Sequence, residues 1–590
     1  LGLPFSSRSQ GNFTFNNGGL VDSAVTQTGA GTVAINNGMD GGWVSAAVGG
    51  YSYQNGVLWG IGGNAVTTAG NTTLVNHGGG NIMGGLIRGN VTLGTGATGS
   101  SSLTNGSQAG GNATIMGSVT MADRNNTITN DGTITGNVTM NGTGSNVFNA
   151  GSSGSAGDNG LRLPGSQIDG SGNPTGTVTG TLTGLAANAA NNTLNLNGTG
   201  SSTLQVGTTI LNFGVVNKND SGTWTIKNTL DGNPGSLTTV NINDGVLSVD
   251  NASFLGSSAT TVHNNSGGSG FGGLIFNGTA AGTFAGNIDG TGNATVTGAN
   301  ATTFTGTNTQ TGWLYVYSGG VLNANSNGAL SANSDLYLGN GTLNVNATNT
   351  INNLIDWGGT NYIHIAGGAS LSVAGGHFGD DGGHIDGLGD LIKYSTGTLD
   401  LFSADQMAPG SLIVNNGTVN DHNGALGSSV AVRVNSTATT TGVLNILNSE
   451  TVGSLAGTGA NAQVNISSGA TLAVGGLNTS TGFAGKIAGS GALVKDGTGI
   501  LTLTGANTYT GGTTVNDGAL MGFVGTGASI TGDYTLNNGA FLTFNQLLPA
   551  SGPQSGTYAG NVTGGASAYM QFGGNSSTTV TLTGNNTGFA

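Results

Sequence analysis

Residues 489–520 read GSGALVKDGTGILTLTGANTYTGGTTVNDGAL, and the spacing within this stretch decides the fold class. Apolar and β-branched residues recur at alternate positions in short runs, as in Leu501 and Leu503 or Thr513 and Val515. Gly, Asn and Thr separate these runs at intervals of about eight to twelve residues. The pattern predicts short β-strands joined by tight turns, and it does not suit a catalytic loop.

The same stretch resembles the passenger-associated transport repeat of bacterial autotransporters. The pattern of that repeat is approximately GxGxLxKxGxGxLxLxGxNxYxGxTxVxxGxL, and nearly every fixed position is met here. The matching residues are Gly489, Gly491, Leu493, Lys495, Gly497, Gly499, Leu501, Leu503, Gly505, Asn507, Tyr509, Gly511, Thr513, Val515, Gly518 and Leu520. The resemblance covers only residues 489–520 of 590, and it implies a secreted passenger domain.

The composition is that of an uncharged β-protein. Charged residues make up only 6% of the 590, against about a quarter in average soluble domains. Asn, Thr and Ser cover the surface instead, since they are soluble and comfortable in strands or tight turns. With 117 Gly and 7 Pro the chain stays below the level of low-complexity sequences, and its apolar residues are regularly spaced, which argues against disorder of the whole chain.

Several classes of function are disfavoured by what the sequence lacks. With no Cys, neither a disulfide framework nor a Cys-based zinc site can form, and this suits a chain exported unfolded. The net charge of −14 and ten scattered Lys and Arg argue against nucleic acid and anionic membranes as partners. No apolar stretch is long enough for a transmembrane helix, and the first residues, LGLPFSSRSQ, do not form a signal peptide.

Internal repeats indicate the architecture. The phrase FAGKIAGSG at 483–491 recurs as FAGNIDGTG at 284–292, and NDGAL at 516–520 has several relatives. In the N-terminal third, Val-Thr-Leu or Val-Thr-Met triplets each follow a Gly-rich turn. Because these phrases recur about every 20 to 30 residues, each copy matches one coil of a parallel β-solenoid.

We therefore predict an all-β protein, a right-handed parallel β-helix or β-solenoid that forms an elongated rod. Coils stacked about 4.8 Å apart would make a rod of roughly 95 to 140 Å, lined with Val, Ile, Leu and Phe. The predicted regions are 1–70 as N-terminal cap and first coils, 71–200 as Gly/Asn/Thr-rich solenoid, 201–480 as solenoid with degenerate transport-type repeats, and 481–590 as C-terminal solenoid with the strong repeat.

The two ends of the chain raise separate hypotheses. The segment 41–63 contains Trp43, Tyr51, Tyr53 and Trp59 and is interpreted as a cap or irregular coil, with an adhesive patch as the alternative. The last residues repeat the wording around Phe483, so we expect the polypeptide or an assembly to continue beyond Ala590. The final 40 residues are too short for an outer-membrane barrel, which leaves membrane attachment open.

One dense titratable cluster occurs, in HFGDDGGHIDGLGD at 377–390. Its members are His377, Asp380, Asp381, His384, Asp386 and Asp390. Asp carboxylates after paired glycines could bind Ca²⁺, but the full calcium-binding nonapeptide is absent and does not repeat, so a structural turn is favoured. A β-helical polysaccharide-degrading enzyme would need paired carboxylates such as Asp380 and Asp381, yet no Arg or Lys cluster accompanies them.

Lysines recur at one phase of the repeat, at Lys218, Lys393 and Lys495. We expect their stems to pack beside a turn while the ammonium groups stay in water. The alternative is a row of charges that binds an acidic partner.

The sequence predicts an extracellular, non-enzymatic protein that acts as a cell-surface adhesin or structural fibre. We predict no catalytic, cofactor or metal site residues. Self-association is the expected partner mode, and glycans or proteins on host or neighbouring cells are further candidate partners. The alternatives are a self-assembling filament or surface-layer subunit and the polysaccharide-degrading enzyme.

Overall fold

The computed structural model describes most of the chain as short segments of strand and turn. The described residues are 5–7, 13–17, 20–21, 25–27, 33–37, 43–45, 52–54, 57–59, 64–69, 71–76, 86–94, 99–106, 113–150, 177–178, 180–204, 209–267, 272–356, 358–374, 389–402, 410–537 and 539–587. They fall into two compact units: Leu1–Val296 with Asn300–Gly306, and Thr297–Ala299 with Thr307–Ala590.

In the first unit the described strands pair in parallel, apart from an antiparallel hairpin of Ser52–Gln54 and Val57–Trp59. One sheet contains Phe5–Ser7, Val25–Gln27, Asn64–Thr68, Asn90–Leu93, Val119–Met121, Val138–Met140, Leu182–Gly184 and Ile210–Leu211. A second contains Phe13–Asn17, Val33–Asn37, Thr72–Asn76, Ser100–Asn105, Asn125–Asn130, Asn146–Ala150, Asn192–Leu196, Val215–Lys218, Thr239–Ile242, Thr261–Asn264 and Asn287–Asp289.

The remaining strands of the first unit form smaller sheets. One contains Leu20–Val21, Trp43–Ser45, Leu86–Arg88, Thr114–Met116, Thr133–Ile134 and Thr177–Val178. Another contains Ser201–Leu204, Thr223–Ile226, Val246–Val249, Leu274–Phe276 and Ala294–Val296, and Gly282–Phe284 pairs with Thr302–Phe304. Short 3₁₀ turns span Ala186–Asn191 and Ala252–Leu255.

The second unit repeats the same parallel pattern. Three sheets, named by their residue spans, matter below. The 321–456 sheet contains Val321–Ala324, Thr342–Val345, Thr360–Ile365, Asp390–Tyr394, Ser411–Val414, Ala431–Val434 and Ser454–Ala456. The 349–489 sheet contains Asn349–Ile351, Ser370–Val373, Thr398–Leu401, Gly417–Asp421, Gly442–Ile446, Gln463–Ile466 and Lys486–Gly489. The 450–587 sheet contains Glu450–Val452, Thr471–Val474, Ala492–Lys495, Thr513–Val515, Tyr534–Leu536, Val562–Gly564 and Asn586–Thr587.

Further strands complete the coils of this unit. They are Leu314–Tyr317, Leu336–Gly339 and Leu354–Asp356; Thr481–Phe483, Ile500–Leu503, Ala519–Gly522, Phe541–Asn545 and Tyr569–Gly573; and Gly556–Tyr558 with Val580–Leu582. In each unit the described strands stack as coils of a parallel β-solenoid, about 20 turns in all, which confirms the predicted all-β solenoid class.

Stacking in register explains the alternating sequence. Val119 aligns with Val138 in the next coil, and Met121 aligns with Met140, and all four side chains are fully buried. Thr120, between Val119 and Met121, points to the outer side and is only half-buried. Period-two alternation therefore sends one set of side chains into the coil and the other towards solvent.

The interior contains polar ladders that the sequence analysis did not predict. The buried amides of Asn76, Asn105 and Asn130 stack coil upon coil, with Nδ2 donating to Oδ1 at 2.7 and 2.8 Å. A similar buried ladder joins Asn126 to Asn146 at 2.8 Å. Because each amide has a donor side and an acceptor side, identical residues in register can hydrogen-bond to each other from coil to coil. Asn is thus a stacking residue here as well as a turn residue.

The strong repeat corresponds to the wall of successive coils. Leu493 aligns with Leu472 of the preceding coil, and Leu501 aligns with Leu520 of the following coil. Two polar positions of the pattern are also interior: Asn507 is 5% exposed and Tyr509 is 1% exposed. Asn507 accepts the N–H of Ile487 at 2.8 Å and donates to a backbone carbonyl of the next coil. The repeat therefore prescribes inward-facing groups and turns.

The repeat's glycine at 505 is required by a close approach between coils. A Cβ built on Gly505 would lie 1.9 Å from the carbonyl oxygen of Gly485, far inside contact distance. At Gly482 a Cβ would meet the nearest backbone oxygen, that of Thr502, at 3.9 Å. The two glycines therefore differ in the room that they leave for a side chain.

We expect Gly505→Ala to lower the free energy of unfolding by about 1–3 kcal/mol, because the added methyl group overpacks the turn. Gly482→Ala is the matched control and should change it by less than about 0.5 kcal/mol. Urea unfolding of each variant, followed by circular dichroism, gives the comparison. Equal effects of the two substitutions would contradict the steric explanation.

Candidate functional site: buried lysines and an aromatic face

Of the titratable cluster at 377–390, the structure describes only one member, Asp390. His377, Asp380, Asp381, His384 and Asp386 lie outside the described residues. Asp390 is described: it begins a strand of the 321–456 sheet, and its carboxylate accepts a hydrogen bond from the Ser411 hydroxyl. Within the described ranges, no group of three or more His, Cys, Asp or Glu side chains is placed to hold a metal ion.

The three repeated lysines are buried, contrary to our expectation that their ammonium groups stay in water. Lys218 and Lys393 are 0% exposed, and Lys495 is 2% exposed. Each occupies an inward position at or near the end of a strand, where the chain enters a turn. This location excludes the alternative of an exposed row of charges that binds an acidic partner.

Each buried ammonium is held by backbone carbonyls of two successive coils. Lys393 Nζ donates to the carbonyls of Tyr394 at 3.0 Å and Ser395 at 2.8 Å, and to Asn416 of the next coil at 3.0 Å. Lys495 repeats this arrangement with the carbonyls of residues 496, 497 and 517. An ammonium has three donors, so three converging carbonyls satisfy it completely.

The electrostatics of these lysines reflect their burial. Desolvation lowers the pKa of Lys218 to about 8, although the negative charges of Asp220 and Asp244 raise it in part. Desolvation also lowers the pKa of Lys393 to about 8. Both groups therefore remain mainly protonated at neutral pH. Their role is to tie one turn to the next, and the signal for it in the sequence is a Lys that ends an alternating run just before a Gly-containing turn.

We expect Lys495→Met to lower the free energy of unfolding by about 1–3 kcal/mol, because it removes a buried ammonium that bonds to three turn carbonyls. Lys486, only half-buried on an outer face, provides the matched control, and Lys486→Met should change the value by less than about 0.5 kcal/mol. Urea unfolding monitors both. A Lys495→Met protein as stable as the Lys486→Met protein would show that the carbonyl contacts do not stabilise the fold.

The outer side of the 321–456 sheet carries an aromatic face, defined by Tyr362, His364, Ile392, Tyr394, Ile413 and Arg433. The ring of His364 stacks on Tyr394 with centroids 5.1 Å apart and planes within 12°. Tyr362 lies 6.1 Å from Tyr394 and is 36% exposed. Burial, with a smaller contribution from the charge on Lys393, lowers the pKa of His364, so its imidazole is neutral at neutral pH.

Register places these side chains in adjacent columns. Tyr362 aligns with Ile392, Ile392 with Ile413, and Ile413 with Arg433, while His364 aligns with Tyr394. The rings lie in neighbouring coils because the strands are in register, although Tyr362 and Tyr394 are 32 residues apart in sequence. The sequence analysis did not identify this face, because the separation of 32 residues between Tyr362 and Tyr394 obscures which positions of the two strands align.

The outer side of the 349–489 sheet is mainly polar, apart from the exposed Phe402, which stacks on His422. Asn420 donates to Asp400 at 2.7 Å, Asn445 donates to Asn420 at 2.7 Å, and Asn465 donates to Asn445 at 2.8 Å. These amides hydrogen-bond to one another along the stack, so part of their hydrogen-bonding capacity is used within the protein. The aromatic face offers apolar area and one exposed cation, Arg433, which are groups typical of contact sites.

Comparisons with known proteins agree with this architecture. The family model of the passenger-associated transport repeat matches residues 493–521. The adhesin BmaC autotransporter of Brucella suis biovar 1 (strain 1330) is 33% identical over 192 residues, which are 32% of this chain and 5% of that protein. The chain thus matches only a small part of its relative's length, and no solved structure matches it.

No helix in the described part of the chain has the length and hydrophobicity needed to cross a membrane. The matched repeat coincides with the stretch recognised from sequence, and its residues form stacked parallel strands. The predicted resemblance is therefore confirmed: residues 493–521 match the passenger-associated transport repeat, and the chain is similar over 192 residues to an autotransporter adhesin.

Proposed function

We propose that this chain is an extracellular, non-enzymatic adhesin passenger displayed at the bacterial cell surface. The observation that carries the proposal is the 33% identity to an autotransporter adhesin, BmaC, over 192 residues. A β-solenoid also suits the role physically, since each coil is supported by its neighbours and outward side chains can vary freely. Adhesion would then come from the outer faces of the coils.

The aromatic face is the proposed contact surface. Its rings and isoleucines supply apolar area, and Arg433 supplies a cation on a chain whose net charge is −14. Its partner is a glycan or protein on the surface of another cell. Many such contacts by neighbouring molecules on one cell would add through avidity. Self-association of copies of this chain remains a prediction.

Adhesion can be tested with the full chain coupled to beads and incubated with epithelial cells. We expect the double variant Tyr362→Ser, Arg433→Ser to reduce bound beads about tenfold or more, because aromatic and Arg anchors dominate contact energies. The control variant, Asn445→Ser with Asn465→Ser on the amide ladder, should bind like the unmodified protein. Binding that is unchanged in the first variant rules out this face, and beads that never bind rule out the adhesin.

The enzyme alternative makes a separate prediction. We expect the purified chain to release no reducing sugar from soluble polysaccharides, because no Arg or Lys cluster accompanies the candidate carboxylates Asp380 and Asp381 in the sequence. A reducing-end assay over a panel of bacterial and host glycans measures this. Release that disappears in Asp380→Asn, Asp381→Asn would replace the adhesin with a polysaccharide-degrading enzyme.

A further inference from the structure

The chain contains a single glutamate, Glu450, and this residue is buried. It is 6% exposed, and Asp421, which is 0% exposed, lies beside it. Buried carboxylates are normally paired with a cation, because taking an ion out of water is costly. The pair therefore needs an explanation that the passenger fold alone does not supply.

The solenoid places the two carboxyl groups in successive coils. Asp421 ends the strand Gly417–Asp421, where it aligns with Leu401 on one side and Ile446 on the other. Glu450 begins the strand Glu450–Val452 and aligns with Leu472. The neighbours in register are thus aliphatic, and they leave the carboxyl groups in an apolar interior.

Backbone amides of the intervening turn hold both side chains in place. Asp421 Oδ1 accepts the N–H groups of Gly424 and Ala425, each at 3.0 Å. Glu450 Oε2 accepts a hydrogen bond from the N–H of Leu426 at 2.9 Å, and Oε1 accepts one from the N–H of the adjacent Thr451 at 2.6 Å. Residues 421–426 are therefore fastened at one end by Asp421 and at the other by Glu450.

One oxygen is left over. Asp421 Oδ2 is buried and has no donor within the described part of the chain when both carboxyl groups are ionised. A proton on Glu450 supplies that donor, because a carboxylic acid can donate one hydrogen bond and still accept others. The same proton removes one of two adjacent negative charges, which could not both persist in an apolar interior.

Other charged groups do not take the place of this proton. On the outer side of the strands, Asp400 and His422 pair with each other at 3.3 Å, and Asp400 also accepts from Asn420. Lys393, in the neighbouring 321–456 sheet, donates all three of its ammonium hydrogen bonds to backbone carbonyls. Asp421 is the one charged group among the described residues that acts on Glu450.

We propose that Asp421 and Glu450 share one proton and form a pH-sensitive clamp between the turn 421–426 and the coil that begins at Glu450. Protonated, the pair is hydrogen-bonded and carries one charge. Deprotonated, it places two repelling carboxylates in the interior and loosens the turn. The clamp binds a proton reversibly and makes no covalent change.

The direction of the pH effect follows from proton linkage. Burial, together with the hydrogen bond to Asp421 and its charge, raises the pKa of Glu450 from 4.5 to about 9. Between these two pH values the folded chain holds a proton that the unfolded chain has lost. The stabilisation is therefore complete below pH 4.5 and is lost as the pH rises towards 9.

A divalent cation is a poor substitute for the proton. Ca²⁺ takes about six to eight oxygen ligands, and here three of the four carboxylate oxygens already accept backbone N–H groups. Too few oxygens remain to surround the ion. The geometry favours the smallest cation, the proton.

The single glutamate makes a direct test feasible. Cell-free synthesis with glutamate labelled with ¹³C at the side-chain carboxyl carbon gives one Glu resonance, whose chemical shift reports protonation. We expect a titration midpoint well above 7 in the full chain and a fall of that midpoint in Asp421→Asn. A midpoint near 4.5, or a resonance that moves on adding CaCl₂ at pH 7, would overturn the proposal.

Hydrogen exchange tests the clamp itself. After correction for the intrinsic rate, protection of the amides in 421–426 should fall at least several-fold from pH 5 to pH 8.5. In Glu450→Gln the side-chain amide donates to Asp421 at every pH, so protection should not change with pH. The control variant Asp517→Asn, at an exposed residue, should behave like the unmodified chain. Protection that follows the same pH course in Glu450→Gln would also overturn the clamp.

Discussion

The parallel hydrogen-bonded ladder between successive coils is the constraint on which the rest of the structure depends. Because each strand pairs in register with its equivalent one coil later, every side chain meets a side chain of the same phase. At many positions like stacks on like: Val on Val inside, Asn on Asn in the amide ladders, and Gly against Gly where turns approach closely. The effect of a substitution on stability therefore depends on the residues that it contacts in the preceding and following coils, and not on one central core.

Charge is scarce in this chain, and much of it is internal. Of the five lysines, Lys218, Lys393 and Lys495 are buried, and so is Glu450, the sole glutamate. Each of these groups bonds to turn backbone, where strands end and carbonyl or amide groups lose their ladder partners. The lysines donate hydrogen bonds to turn carbonyls, and the carboxyl pair accepts hydrogen bonds from turn amides. The buried ionisable side chains therefore stabilise the turns.

The outer faces differ in what they leave unsatisfied. Along the 349–489 sheet, amides donate to one another from coil to coil, which uses part of their hydrogen-bonding capacity. Along the 321–456 sheet, stacked rings and isoleucines end at the exposed Arg433. The choice of the aromatic face as the proposed contact surface rests on this contrast, since contact energy comes mainly from apolar area and Arg anchors.

The all-β solenoid class and the transport-repeat resemblance could be predicted from sequence alone, because period-two alternation and the spacing of residues 489–520 are local properties. The fate of Lys495 could not: its position before a turn suits either a solvated or a buried ammonium, and only the three carbonyls brought together by two coils decide it. The same holds for Tyr362 beside Tyr394, and for Asp421 beside Glu450. These contacts join residues of different coils, whose alignment depends on the length of every intervening turn.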